Sequence, residues 1–486
     1  MLLGVLGVLG RPAVFPDTWA YVNYGRAFSH FVAQKVKLEP PPDPPDTPED
    51  AREEKLAQSY ELTVMGARSP WYGVFIWPLQ RYATIWSVAI VQSVVGAWLI
   101  WLLWRTLAPD APAWTSLAVQ GATALVSTLP FIAGFVMPDV FTAYLILSTT
   151  LLLVAWERLV RWERVALLVL VLLSCRFHGA NTVLTLCIIA AAGLAFLWLR
   201  RPRPELRAAV FWLVLTLAVG FVCGRLTDLG IEAVNGQAPG RPPFLAMRLL
   251  ADGPGRRYLK QACAHGEPYR LCRFKALPLD DVQESIWSGD PRKGVFVISN
   301  PEGRMALARE EGRFVAGVVR FDPLGVVFAA LDNWRKALGT VAVQSPLLDP
   351  ELYVAHSPYK ESPLRGMVEG IGSCGPDHHG CRTRLTEDVA DWLQTVEFVL
   401  AAGVVVGLSA LFARKAARGQ SAESQRWLEA AALITCGLLA NALLYGAIAG
   451  PFPRYQSAVA WLATSLAAVG VVRWRLSRRY GDKCSS

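Results

Sequence analysis

Two aspartates stand at the ends of apolar runs, and each directly follows a proline. Asp17 lies in "RPAVFPDTWAYV" after the run "MLLGVLGVLG", and Asp139 lies in "FVMPDVFTAY" between two longer apolar runs. A carboxylate can act as a general base, but an aspartate ahead of a helix also serves as an N-cap. Other ionisable residues occupy comparable turns: Arg68, Arg176, His178, Arg225, Asp228 and Arg454.

These charges interrupt a chain whose composition suits lipid. Of its 486 residues, 53% are hydrophobic and 18% are charged, whereas a soluble domain is about a quarter charged. A bilayer core needs about 20 apolar residues in a helix. Together with a short first helix at 1–10, the apolar runs predict an α-helical polytopic membrane protein with about ten transmembrane helices, at 84–104, 113–136, 140–156, 165–175, 181–199, 208–224, 396–413, 427–448 and 456–473.

Basic clusters at alternate helix ends predict the topology. They lie beside short loops and in the C-terminal tail, where an excess of Lys and Arg marks the cytoplasmic side. The placement of the basic residues behind the net charge of +9 therefore indicates the orientation of the chain in the membrane. Since the sequence also has no nucleic-acid-binding motif, we expect no nucleic-acid partner. The loops expected outside are 11–83, 137–139, 176–180, 225–395 and 449–455.

The first predicted helix is short. Residues 1–10 must cross the membrane if 11–83 lies outside, yet ten helical residues span only about 15 Å. We expect either a start codon further upstream or a short helix partly covered by protein. The resulting orientation puts the C-terminus in the cytoplasm and the large loop outside, and we expect the membrane to be a bacterial inner membrane.

Three regions follow from this topology. Residues 1–224 form an N-terminal transmembrane module whose first outward loop, 11–83, carries helices that lie along the interface. Residues 225–395 form an extracytoplasmic inserted domain, α/β or mainly α, and 396–486 hold the last membrane helices and a basic tail.

Four of the nine cysteines fall in the inserted domain. Cys263 and Cys272 form one close pair, and Cys374 and Cys381 form another. Local pairing is the simplest of three possible disulfide connectivities in an oxidising compartment. The alternative for "CGPDHHGC" is a zinc site, which the adjacent histidines disfavour because their side chains point in different directions.

The ionisable residues gather at outward turns rather than at mid-membrane. An ion-coupled transporter places its site near the midplane, so the pattern favours a site opening at one membrane surface. Each residue also has a plainer reading: Asp17 and Asp139 cap helices, Arg454 reaches the headgroups or pairs with Asp228, and Tyr455 belongs to the interfacial aromatic belt.

Three short motifs resemble those of a known superfamily. "PDTWAY" after a first helix, the acid of "MPD" in a second outward turn, and "PFPRYQ" at the head of the last helix are similar to features of the GT-C glycosyltransferases. These integral membrane enzymes include protein O-mannosyltransferases, the aminoarabinose transferase of lipid A and oligosaccharyltransferases. The resemblance implies a GT-C-like fold, a catalytic acid in the first outward loop, and a polyprenyl-phosphate sugar donor taken from the membrane lipid.

The resemblance also implies roles. Asp17 becomes the base that activates an acceptor hydroxyl, and Asp139 orients the acceptor or holds a divalent ion, which leaves the need for a metal cofactor open. Arg68 and Arg454 clamp the lipid phosphate. The remaining expected substrate contacts are His178, Asn181 and Tyr455.

The expected function is transfer of a sugar to an envelope glycan, lipid or protein. A lipid or polysaccharide flippase is the alternative from another class, and a non-catalytic membrane scaffold is a third. The absence of a visible internal repeat and of mid-membrane acids disfavours the flippase. The sugar, the acceptor and the oligomeric state do not follow from the sequence.

Overall fold

The protein is described by a computed structural model that covers residues 12, 16–35, 68–199, 204–236, 239–343, 387–417 and 422–481. These residues form helices and turns, with no strand among them. The first half contains nine helices within the described ranges: α1 Pro16–Lys35, α2 Pro70–Tyr82, α3 Ile85–Leu107, α4 Trp114–Val126, α5 Leu129–Ala133, α6 Val140–Ala155, α7 Arg161–Phe177, α8 Ala180–Leu199 and α9 Pro204–Asn235.

The second half contains a set of shorter helices followed by three long ones. The shorter helices begin after prolines or polar caps: Asp281, Asn300 and Asp322 each accept a backbone N–H from the first turn of the helix that follows. The helices are α10 Phe244–Ala251, α11 Pro254–Ala264, α12 Val282–Trp287, α13 Pro301–Phe321, α14 Pro323–Leu338, α15 Glu387–Ala417, α16 Ala422–Ile448 and α17 Pro453–Gly481.

Within the described residues, six helices are long and apolar enough to cross a membrane. A seventh span results if α13 and α14, which meet at a bend of 105°, count as one. The prediction of an α-helical membrane protein agrees with this architecture. The six candidate spans are Ile85–Leu107, Val140–Arg158, Glu205–Val234, Asp391–Ala417, Ala422–Ile448 and Pro453–Ser477.

Two predicted boundaries are wrong. The run 113–136 is not one helix, because α4 ends at Val126 and a separate turn of helix, α5, precedes the irregular segment that leads to Asp139. Pro130 lies in the first turn of α5, where a proline is tolerated, but it could not continue α4 without loss of a backbone hydrogen bond. The predicted span 208–224 also ends too early, since α9 continues to Asn235 and the candidate span runs to Val234.

The helices bury two separate apolar cores. The larger core surrounds α6, which is buried along its whole length and is the central helix of the bundle. The smaller core lies within residues 244–343, which we call the inserted unit, and is built from helices and turns, with no strand in the described part. Its most buried side chains are Leu250, Leu259, Ile286, Phe296, Leu307 and Phe314.

One predicted disulfide is confirmed. Cys263 and Cys272 are bonded, with their Cα atoms 5.7 Å apart, and they join the end of α11 to the following helical turn. Cys374 and Cys381 lie outside the described residues, as do the alternative zinc ligands of "CGPDHHGC", the first predicted helix at 1–10 and most of the first loop.

Candidate functional site: a charged cluster at one end of the bundle

The start of α1 is fixed against the turn that carries Asp139. Thr18 is fully buried and its hydroxyl donates to the carbonyl of Val136 at 3.0 Å. Asp17 precedes Thr18 in the first turn of α1, and Asp139 follows Val136 by three residues. One buried hydrogen bond therefore brings two aspartates, 122 positions apart in the chain, to the same end of the bundle.

Arg68 reaches the same place because α1 and α2 cross closely. A side chain on Gly73 would collide with the carbonyl of Tyr21, and one on Gly25 would collide with Gly73, so the crossing requires glycine at both positions. Arg68 lies two residues before α2, and its guanidinium donates a hydrogen bond to Asp17.

Arg454 bridges the two carboxylates. Its Nη1 lies 3.9 Å from Asp17 Oδ2, and its Nε lies 3.9 Å from Asp139 Oδ1. The predicted alternative, a pair between Arg454 and Asp228, is not formed, because Asp228 instead faces Arg241 at 3.9 Å. The structure thus gathers Asp17, Arg68, Asp139 and Arg454 into one group, which we call the charged cluster.

The first turn of α17 sets the position of Arg454. Gly450 takes a φ of +122°, which favours glycine, and this turn carries the chain from α16 into α17. Asn441 on α16 then donates from its amide to the carbonyl of Tyr455 at 3.1 Å and to the side chain of Gln456 at 2.9 Å. The start of α17 is therefore held firmly against α16.

Asp139 occupies the N-cap position of α6 but does not cap it. Its own backbone is already helical, and its side chain makes no capping hydrogen bond. Its side chain is only 2% exposed, and neither carboxylate oxygen has a hydrogen-bond partner among the described residues. Since buried polar groups are nearly always paired, this carboxyl is the least satisfied polar group of the cluster.

The two aspartates differ in exposure and in protonation. The side chain of Asp17 is 16% exposed, and those of Arg68 and Arg454 are 14% and 19% exposed. These three residues form the partly exposed edge of the cluster. Burial acts to raise the pKa of Asp17, but Arg68 and Arg454 outweigh it, so the net pKa falls. Burial raises the pKa of Asp139, and Arg454 offsets this only in part. Asp17 is thus the more accessible carboxylate, with a lowered pKa, and Asp139 is the buried one, with a raised pKa.

Aromatic rings border the cluster. The rings of Tyr445 and Tyr455 stack with centres 4.5 Å apart, and His178 meets Tyr445 edge-on at 5.2 Å. Arg454 lies 4.8 Å from the centre of the Tyr455 ring and donates to its hydroxyl at 2.8 Å. Burial, together with Arg454, lowers the pKa of His178 to about 4, so its imidazole is neutral at physiological pH.

Asn181, which the sequence predicts to contact substrate, lies within the helix bundle. It is fully buried, and its amide donates to the carbonyl of Ser174 at 2.9 Å. Its oxygen accepts from Thr142 at 3.1 Å and from Tyr445 at 3.4 Å. Because these bonds use its amide within the bundle, Asn181 positions Tyr445.

Two aromatic residues near the cluster were missed by sequence reasoning. Tyr445 stacks on Tyr455, and Trp287 of the inserted unit lies over the Arg68 guanidinium at 4.6 Å. Tyr445 resembles any other aromatic residue near a helix end. Trp287 lies 219 positions from Arg68, and no spacing rule relates residues so distant.

The cluster does not fit a divalent cation. A cation held by Asp17 and Asp139 would have to occupy the region between them, where the Arg454 guanidinium lies. In the described part of the chain, no group of three or more His, Cys, Asp and Glu side chains is arranged to hold a metal. The optional metal at Asp139 is therefore not supported by these residues.

Comparison with known proteins adds no relative: no protein-family model, curated protein or solved structure matches this chain.

Proposed function

We propose that this chain is an integral membrane glycosyltransferase of the GT-C type, with about ten transmembrane helices. It transfers a sugar from a polyprenyl-phosphate-linked donor to an envelope glycan, lipid or protein on the extracytoplasmic side. The observation that carries the proposal is the charged cluster: two arginines and two aspartates, drawn from distant parts of the chain to one end of an apolar bundle. The predicted topology places that end outside.

The pair of arginines suits the leaving group of this reaction. A lipid phosphate is anionic, and guanidinium groups bind phosphate oxygens with directed hydrogen bonds. Arg454 stands 3.9 Å from both carboxylates, beyond hydrogen-bond length.

Asp17 suits the role of the base. It is ionised and is the more accessible of the two acids. As the acceptor oxygen forms its bond to the anomeric carbon, the bond from that carbon to the phosphate oxygen breaks. The acceptor proton passes to Asp17, and the bonding electrons leave with the lipid phosphate. Movement of Arg68 toward the phosphate would free the Asp17 oxygen that Arg68 occupies in the resting state.

The charge of the cluster supports a donor with one phosphate. When Asp139 holds a proton, Asp17 contributes one negative charge, and Arg68 and Arg454 contribute two positive charges. One net positive charge remains, and it is complementary to the single negative charge of a phosphodiester. Asp139 in this proposal keeps the charge balance and contacts the acceptor through its O–H, while His178 and Tyr455 form the neutral wall of the site.

Substitution of the proposed base tests this function directly. In a strain lacking the protein, lipid mass spectrometry should find an accumulated prenyl-phosphate sugar and the loss of one glycosylated product. Wild-type protein should restore the product, whereas Asp17→Asn should reduce transfer by about 10²–10⁴-fold. Asp228→Asn is the matched control, since Asp228 is also predicted on the outward side but lies outside the cluster.

Two results would count against the proposal. Normal transfer by a well-expressed Asp17→Asn variant would remove Asp17 from the mechanism. The strain lacking the protein could instead accumulate a finished glycolipid on the cytoplasmic face, with no build-up of prenyl-phosphate sugar. That result would support the flippase alternative.

A further inference from the structure

The bent helix pair of the inserted unit carries an unusual apolar surface. α13 and α14 together are apolar enough for a membrane span, but they turn by 105° at Asp322, so they cannot cross as one straight rod. On α14, Leu324, Val327, Phe328 and Leu331 follow the i, i+3, i+4, i+7 spacing of a single helical face. These four side chains, the α14 stripe, are 68%, 51%, 67% and 44% exposed.

The opposite face of α14 is packed against a candidate membrane span. Asn333 and Ala337 pack against Gly446 of α16. A Cβ atom added to Gly446 would lie only 2.9 Å from the carbonyl oxygen of Asn333. The Trp334 indole donates to the carbonyl of Leu439 at 3.1 Å. Leu439 lies nine residues before the end of α16 at Ile448, about 13 Å along the helix axis.

The chain after α14 is also attached to a candidate span. The backbone N–H of Val343 donates to the side chain of Gln394 on α15 at 2.7 Å, and both residues are buried. Gln394 lies inside the candidate span Asp391–Ala417. The second half of α14 therefore lies alongside α16, the segment after it reaches α15, and the stripe side chains stay exposed.

Charged residues border the stripe at both ends. Before it, Asp322 pairs with Arg257, which lines a cavity of about 270 Å³ together with Arg256 and Lys260. After it, Asp332 pairs with Arg335 at 3.2 Å and with Lys336 at 2.7 Å. Cationic side chains that flank an apolar segment match the phosphate level of a membrane, and long basic side chains can reach back to it.

We propose that α14 is inserted into the bilayer leaflet on the side of the charged cluster, with its stripe against the lipid acyl chains. The exposed face continues the lipid-facing surface of α16, where Leu439 and Leu443 are also about two-fifths exposed. The stripe is about 10 Å long, which fits within one leaflet of a bilayer core about 30 Å thick. Insertion of α14 would fix the inserted unit, and with it Trp287 over Arg68, relative to the membrane.

The test is photo-crosslinking of the full-length protein in nanodiscs of phosphatidylethanolamine and phosphatidylglycerol. p-Benzoylphenylalanine replaces Leu324 or Phe328 in separate variants, and mass spectrometry identifies the adducts. Phe221, exposed on the candidate span α9, is the lipid-facing control position. Arg292, whose side chain is 87% exposed on the inserted unit, is the water-facing control position.

We expect lipid adducts from positions 324, 328 and 221, and none from 292. As a second measurement, a membrane-impermeant maleimide should label Phe328→Cys more slowly than Arg292→Cys by about tenfold or more, since lipid excludes the reagent and its water. Adducts to a second protein chain, or equal labelling of the two cysteines, would overturn the proposal. Neither readout depends on sugar transfer, so the result is independent of the proposed function.

Discussion

The helix bundle carries a group of charged residues at each end, and the two groups differ in how fully their acids are hydrogen-bonded. Arg454 and Arg473 lie on the same helix, about 28 Å apart along its axis. At the Arg473 end, Arg105 donates to both oxygens of Glu163, at 2.8 and 2.6 Å, and Arg158 donates to both oxygens of Glu423. At the Arg454 end, the oxygens of Asp139 have no hydrogen-bond partner in the described part of the chain.

This difference separates a structural network from a candidate binding site. A fully hydrogen-bonded ion pair gains nothing from a further ligand, since its donors and acceptors are already in use. An acid whose oxygens have no hydrogen-bond partner among the described residues, such as Asp139, can gain new contacts when a ligand enters. The distinction rests on how the carboxylates are hydrogen-bonded, because both ends contain the same kinds of residue.

The largest expected effect is at Arg454. Arg454→Gln removes the positive charge between Asp17 and Asp139, and with it the proposed phosphate contact, so transfer should fall by about 10²–10³-fold. Arg241→Gln is the control, because Arg241 faces an aspartate at the same 3.9 Å distance but is 69% exposed. Transfer is measured in membranes and divided by the amount of folded protein, taken as the monodisperse fraction after extraction of the same membranes in detergent. Equal rates for the two variants would remove the proposed phosphate contact at Arg454.

The next effect is on stability at the other end. Glu163→Gln leaves Arg105 without its carboxylate, and loss of one partner of a buried pair costs about 3 kcal/mol. Glu163 is 1% exposed and Arg105 is 30% exposed. We expect a lower unfolding temperature in detergent but unchanged transfer per folded molecule. Glu157→Gln, in which the glutamate is 41% exposed, should cost less than about 1 kcal/mol.

Sequence reasoning found most of the elements and the charged residues, but not their coordination. Apolar runs predicted the long helices because the bilayer imposes length and composition on a span. They failed at 113–136, where a break at Ser127 and Thr128 leaves apolarity unchanged. Convergence of Asp17, Asp139 and Arg454 was expected from topology alone. The Asp139 oxygens lack hydrogen-bond partners among the described residues, whereas the Asn181 amide has them. This difference depends on long-range contacts, which no local sequence pattern records.

The smallest expected effect concerns the stability that Asp139 contributes. Burial raises the pKa of its carboxyl, so the folded protein keeps a proton that the unfolded chain releases near pH 4. The resulting stability is therefore complete below about pH 4 and declines as the pH rises toward the folded-state pKa. Asp139→Asn cannot ionise and should lack this decline. At pH 7 the variant should be at least as stable as the wild type.

Asp17→Asn should show the opposite dependence in the same unfolding measurements. Its folded-state pKa is lowered, so the Asp17 carboxylate stabilises the wild type above the unfolded pKa, and this contribution is lost as the pH falls. The asparagine variant should be less stable than the wild type at pH 7 and should approach it in acid. Parallel pH profiles for the two variants would mean that the aspartates are equivalent, and the division into an ionised base and a protonated neighbour would then be wrong.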